Sequence, residues 1–239
     1  KKYKHENIDQ ELAIEQHRNF EQTLKAAGVE VIKLKPSKDH PEQVFTRDIG
    51  FTLGNRLFIS EMANPIRQGE EEVLAHWMHN HDIAYKKLST HSIEGGDVIV
   101  DGKRVFIGIS HRTCKNAIQT LQKELSEFKV LPSQFNPKYL HLDCVFNILS
   151  SEDALIYPDA FDPKTVEFLA SMYNLIEVSE SEQFTMGTNV LSIGNKRVLS
   201  LPMNRDVNYQ MRQYGYEVLE VDFSEIIKSG GSFRCCSMP

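Results

Sequence analysis

No stretch of about 18 or more apolar residues occurs in this sequence of 239 residues, so none of it reads as a transmembrane helix. A signal-peptide pattern is also missing from the start, and the expectation is a soluble, cytoplasmic chain without a membrane partner. Cysteine is scarce: four are present, none in a CxxC pair and two adjacent at Cys235 and Cys236. That usage offers neither a zinc pattern nor an evident disulfide framework and suits a reducing compartment. Positive charge is short as well. The formal net charge is −6, with lysines and arginines spread along the chain, which argues against a nucleic-acid surface and for a cationic small molecule. Low-complexity and linker-like runs are absent, so residues 1–239 are read as one domain. Methionine does not open the chain, from which a trimmed or partly ordered N-terminus is expected.

What is present is ordinary globular composition, 41% hydrophobic and 25% charged, enough for a full core. In residues 7–27, Ile8, Leu12, Ile14, Phe20, Leu24 and Ala27 recur at helical spacing until Gly28 stops the pattern, and 29–34 alternates like a strand. Residues 44–59 read as a hairpin turned at Gly54-Asn55, followed by a helix at 69–81 and a strand at 83–88. His76, His79 and His81, on or beside that helix, are expected to be solvated. The same order returns three times. Hairpins at 97–109, 143–157 and 189–201 are each followed by a helix (113–128, 163–173, 207–213) and a strand (130–131, 175–178, 216–221).

Asp48, Asp97, Asp143 and Asn189 open the four hairpins at separations of 49, 46 and 46, and one further step of 46 lands on Cys235. A fixed period of this length marks a repeat, because a single unit cannot bury both faces of its helix and sheet. The fifth unit begins at the C-terminus and lacks its helix and last strand there, whereas both stand at the N-terminus. The expected fold is therefore α/β, a pseudo-fivefold ring of ββαβ units opening near 48, 97, 143, 189 and 235, the last completed by residues 1–35. In such a ring the opening residues converge on the axis.

Converging carboxylates want a cation, and Asp48, Glu94, Asp97 and Asp143 could hold a metal or an organic cation. His141-Leu142-Asp143-Cys144 supplies three metal-ligand types, but read as a strand it leaves only His141 and Asp143 on one face, short of the four that structural zinc takes. No metal is expected. A guanidinium pairs with carboxylates in fork geometry, a thiolate can attack its central carbon, and His141 would be placed to move protons. Gly230 to Arg234, just before Cys235, supply a glycine pair for close backbone approach and an arginine beside the thiol.

Phe45-Thr46-Arg47-Asp48, Glu94-Gly95-Gly96-Asp97, His141-Leu142-Asp143 and the Arg234-Cys235 ending resemble the guanidino-group modifying enzymes. That superfamily includes arginine deiminase, dimethylarginine dimethylaminohydrolase and the amidinotransferases and has a five-bladed β/α propeller (pentein) fold. The resemblance implies that Cys235 is the nucleophile, that Cys236 points away, and that His141 is the general acid and base. Glu94 would orient His141 or hold a guanidino nitrogen, while Asp48 and Asp143, with Asp97 beside them, would bind the guanidinium. Arg67 and Arg112 would clamp the substrate's α-carboxylate, and Glu42, six residues before Asp48, would touch its amino-acid end. No cofactor is implied. The partner is a small guanidino compound, and a homodimer is the assembly allowed for. A thiouronium on Cys235 resolved by water gives a ureido product; resolved by an amine, it gives amidino transfer. Arginine stands at position 47 where dimethylargininases carry an acid, and 239 residues leave no room for the helical insertion of deiminases, so the substrate stays open between the two types.

Overall fold

In the computed structural model, which describes residues 7–88 and 91–239, β1 (Gly50–Leu53) and β2 (Arg56–Ile59) pair antiparallel across a two-residue turn. The chain then crosses through α2 (Glu71–Asn80) and returns as β3 (Lys86–Lys87), parallel to β2. A tight turn can only reverse a strand, so the parallel neighbour requires the helical crossover. This arrangement recurs with β4 (Val98–Asp101), β5 (Arg104–Ile109), α3 (Lys115–Glu124) and β6 (Lys129–Gln134). It recurs again with β7 (Phe146–Ile148), β8 (Asp153–Ile156), α4 (Pro163–Ala170) and β9 (Asn174–Glu177). The fourth set is β10 (Leu191–Ser192), β11 (Arg197–Ser200), α6 (Arg205–Gln213) and β12 (Glu217–Glu220). Four three-stranded sheets of one pattern answer the four predicted units.

The chain divides into two compact units. One comprises Lys33–Asp143, Asp159–Thr165 and Cys235–Pro239, the other Lys1–Ile32, Cys144–Pro158 and Val166–Arg234. The first packs Phe51, Leu53, Phe58, Val98, Val105 and Ile107 from two sheets against Ile118 and Leu121 of α3, while Ile49, Ile59 and Met62 bury the Leu74 and Met78 face of α2. In the second, Leu155, Ile176 and Val198 pack on Val207 and Met211 of α6. Also in the second unit, α1 (Gln10–Ala26) starts at Asp9, whose carboxylate accepts from the backbone N–H of Glu11 and Leu12. It buries Phe20 against Phe223 and Phe233, with ring centroids 5.4 and 5.3 Å away.

Several expectations are corrected. Residues 29–34 form no strand: Ile32 is 54% exposed, and no ladder partner faces the segment among the described residues. Alternation signals a strand only where another strand supplies hydrogen bonds. The hairpins also begin later than predicted, because each is approached through a tight turn. Residues 46–49 and 233–236 are turns, and Gly95–Asp97 and Leu142–Cys144 are single 3-10 turns. His141 and Asp143 therefore do not alternate along a strand, and strand alternation does not set Cys144 on an opposite face. A short helix, α5 (Glu180–Phe184), was not anticipated; Ser179 caps it through the N–H of Glu182. His76, His79 and His81 are exposed, as expected.

Candidate active site

All nine site residues predicted from the sequence belong to the unit that contains β1 to β6 and the last five residues. The turns that carry these residues are joined to one another. The Arg47 N–H donates to the Cys235 carbonyl at 2.9 Å and the Gly95 N–H to the Asp48 carbonyl at 3.1 Å. The Leu142 N–H donates to Asp97 Oδ1 at 2.9 Å. Residues far apart in sequence are thereby held together by two backbone–backbone bonds and one from backbone to a buried carboxylate.

His141 lies at the centre, 1% exposed. Its Nε2 is 2.8 Å from Glu94 Oε2 and its Nδ1 is 3.5 Å from Asp48 Oδ1. Gly96 makes this packing feasible: a Cβ there would sit 2.6 Å from His141 Nδ1 and 2.8 Å from Asp48 Oδ1. Burial alone would disfavour the imidazolium, but Asp48, Glu94 and Asp97 outweigh it and push the His141 pKa up to about 10. Glu94 is opposed by the same burial. The hydrogen bond from His141, together with the charges of His141 and Arg112, nevertheless holds its pKa below the usual carboxylate range. The second Glu94 oxygen, Oε1, accepts from the Ala63 N–H at 3.1 Å and from Arg112 Nη1 at 3.3 Å. Asp97 is fully buried; desolvation pushes its carboxyl up to about 6 despite His141 and the hydroxyls of Ser110 and Thr113.

Cys235 is 4% exposed, with Sγ 4.0 Å from Asp143 Oδ2. Burial, and secondarily the charge of Asp48, push the Cys236 thiol well above its ordinary value, which keeps it protonated and a poor nucleophile. Arg67 and Asp48 meet directly: Nη1 donates to Asp48 Oδ2 at 2.5 Å, while Nε and Nη2 both donate to Glu70 Oε2, at 2.9 and 2.7 Å. Glu42, its side chain 47% exposed, lies 3.5 Å from Arg67 Nε. Glu70 is a buried site neighbour that sequence reading missed. It stands three residues after Arg67 across a turn closed by the Glu70 N–H donating to the Arg67 carbonyl at 3.1 Å, which brings the two side chains together.

Asp48, Glu94 and His141 each offer one ligand atom, and these lie within 4.8 Å of one another. This is a cation-attracting cluster, and two carboxylates with an imidazole are donors a divalent metal also accepts. Arg67 on Asp48 and Arg112 on Glu94 already bring positive charge to two of the three. Among the described residues, no helix is long and apolar enough to cross a membrane.

The chain is similar to known proteins over nearly its whole length. The family model described as N,N dimethylarginine dimethylhydrolase, eukaryotic, matches residues 1–239. YkgA of Bacillus subtilis (strain 168) is 52% identical over 239 residues, covering 100% of this chain and 84% of its own length. The N(G),N(G)-dimethylarginine dimethylaminohydrolase of Mycobacterium tuberculosis is 30% identical over 234 residues, covering 97% of this chain and 76% of its own. The crystal structure of the N-terminal domain of ArgZ bound to substrate, an arginine dihydrolase from the ornithine-ammonia cycle in cyanobacteria, superposes with a TM-score of 0.88 at 26% identity; the match covers 96% of this chain and 86% of that one. With four motifs in order, an α/β sheet pattern repeated four times and a family match along its whole length, the chain belongs to the N,N dimethylarginine dimethylhydrolase family, within the guanidino-group modifying superfamily.

Proposed function

We propose that this protein is a cysteine-dependent hydrolase of the C–N bond in a guanidino compound of the arginine or methylarginine type. The observation that carries the reading is the buried His141 between Glu94 and Asp48, in the unit that also holds Cys235 beside Asp143. The Cys235 thiolate adds to the guanidinium carbon, forming a C–S bond, while Asp48, Asp143 and Asp97 supply negative charge around the planar cation. His141, protonated at neutral pH, gives its proton to the departing nitrogen as the C–N bond breaks, leaving a thiouronium on Cys235. Water then attacks the same carbon and yields its proton to His141. As the carbonyl forms, the C–S bond breaks and returns the Cys235 thiolate, the remaining hydroxyl proton passes to the released amine or solvent, and a ureido product leaves. Glu94 keeps the imidazole in register throughout. Arg112 and Arg67 are assigned to the substrate's carboxylate end, with Glu42 at its amino-acid end. The relatives named for an activity are hydrolases, which favours water over an amine as acceptor.

Residues 1–239 are taken as one functional domain, in keeping with the extent of the family match. A five-unit ring is retained as well, supported by the fourfold repetition of the sheet and by the bonds between successive opening turns. The test is a panel of arginine, methylated arginines and other guanidino compounds assayed for ureido product, with 2-chloroacetamidine as a covalent probe. Product formation independent of added glycine, with the label on Cys235, supports the proposal. Absence of product from every compound together with an unlabelled Cys235 overturns it, and turnover that requires glycine reassigns the protein to amidino transfer.

A further inference from the structure

Arg67 is the largest of the fully buried side chains among the described residues, 1% exposed, and it is itself a guanidinium. Asp48 receives Nη1 at 2.5 Å, and this is the carboxylate assigned above to the substrate's guanidinium. Glu70, 0% exposed, takes Nε and Nη2, and the Phe45 carbonyl lies 3.4 Å from Nη2. The chain has thus placed its own copy of the substrate's reacting group on a substrate-binding acid. Acceptor capacity remains beside it: Asp48 Oδ1 and Glu70 Oε1 are buried and accept no hydrogen bond among the described residues. If Arg67 withdrew alone, Glu70 would lose its hydrogen-bonded cation and Asp48 would keep only His141, whose Nδ1 lies 3.5 Å from Oδ1, so a second cation arriving on Asp48 favours the release of Arg67.

We propose that Arg67 is an internal competitor, occupying Asp48 in the empty site, held there by Glu70, and displaced by the substrate's guanidinium. Binding is then an exchange of one guanidinium for another. Three consequences follow physically. Cations unable to present a planar fork of donors to Asp48 do not displace Arg67, so the exchange selects for guanidinium over ammonium. Apparent affinity is reduced by the fraction of molecules in which Arg67 is seated. Displacement also frees Arg67 to meet the substrate's carboxylate, so its two roles belong to two states of one side chain. This inference rests on the guanidino reading of the site, and its test separates the two.

Methylguanidine, which has a guanidinium and no carboxylate, is titrated by calorimetry into protein carrying Cys235→Ser to prevent turnover. Arg67→Ala in that background is expected to bind it about tenfold or more tightly. Removing a nearby positive charge would also strengthen cation binding, so Glu70→Gln is the decisive variant. It deletes a negative charge, which on electrostatics alone weakens binding, but it loosens the seat of Arg67, which under this proposal tightens binding. Tighter binding by Glu70→Gln, with a cooperative unfolding transition retained, supports the exchange; unchanged or weaker binding overturns it. If methylguanidine binds none of the three proteins, the guanidino reading of Asp48 falls and the exchange with it. If it binds the parent protein and only the Glu70→Gln gain is missing, the guanidino reading stands and the exchange alone is lost.

Discussion

In one compact unit the β4–β6 sheet opens through Glu94-Gly95-Gly96-Asp97, and in the other the β10–β12 sheet opens through Gly187-Thr188-Asn189. Both openings are buried, and both lead into the same antiparallel-then-parallel sheet. They differ in what is buried. At the β10–β12 opening neutral groups bond to neutral groups: Asn147 Nδ2 donates to the Thr188 and Val190 carbonyls at 2.9 and 2.8 Å, and Asn189 Oδ1 accepts the Ser232 N–H at 3.2 Å. At the β4–β6 opening, ionisable groups face ionisable groups: Glu94 meets His141 and Arg112, and Asp97 lies beside His141. Neutral bonds of this kind stabilise modestly and ask nothing of the surroundings, whereas buried charges must be matched and shift one another's pKa values. A common scaffold therefore buries neutral hydrogen bonds at one opening and matched charges at the other.

The sharpest way to break this comparison is at the thiol. Cys235→Ser is expected to lower turnover by about a thousandfold or more while the unfolding midpoint stays near that of the parent, and Cys236→Ala to retain most activity. Equal losses from both substitutions, measured as ureido product, would remove the distinction between them. A matched glycine pair comes next. Gly96→Ala drives a Cβ toward His141 and Asp48, and a fall of about a hundredfold in kcat/KM is expected. Gly187→Ala in the other unit meets the Glu182 carbonyl at 2.8 Å, and should cost about 1–3 kcal/mol in stability with kcat/KM of the remaining folded protein unchanged.

Titration provides a subtler separation. His141 has its pKa raised from 6.5 to about 10, so its charge contributes stability in full below the unfolded value and loses it as pH rises toward the folded one. The unfolding midpoint in urea should accordingly decline between pH 6.5 and 10, and His141→Gln should flatten that decline. A decline of equal slope in the variant would place the titrating group elsewhere. The smallest effect is expected at Tyr216, whose hydroxyl donates to Asp153 Oδ2 at 2.8 Å. Tyr216→Phe should cost about 1–2 kcal/mol in chemical denaturation and leave the kinetics unchanged.

Much of the scaffold was legible because its signals are local. The turns at Gly54-Asn55 and Gly194-Asn195 and the helix over 113–128 can be read from nearby residues, and the step of 46 from Asn189 lands on Cys235. The failures have one cause. Residues 29–34 alternate correctly but find no strand partner, and His141 to Asp143 looks extended but bends into a 3-10 turn. In both cases the outcome was set by groups elsewhere in the chain: an absent ladder in the first, and the pull of Asp97 on the Leu142 N–H in the second. Glu70 was missed because a glutamate at the start of the predicted 69–81 helix reads as solvated until its burial is known.

The amino-acid order alone thus determined the ββαβ repeat, the family motifs and which side chains could carry chemistry, since periodicity, turn residues and spacing are properties of neighbouring positions. Only the tertiary structure set the distances at which they meet: His141 with Glu94 47 residues away, Arg67 with Asp48 19 away, and Cys235 with Asp143 92 away. Charge pairing and desolvation act through space and depend on the few ångströms that only the packed chain sets.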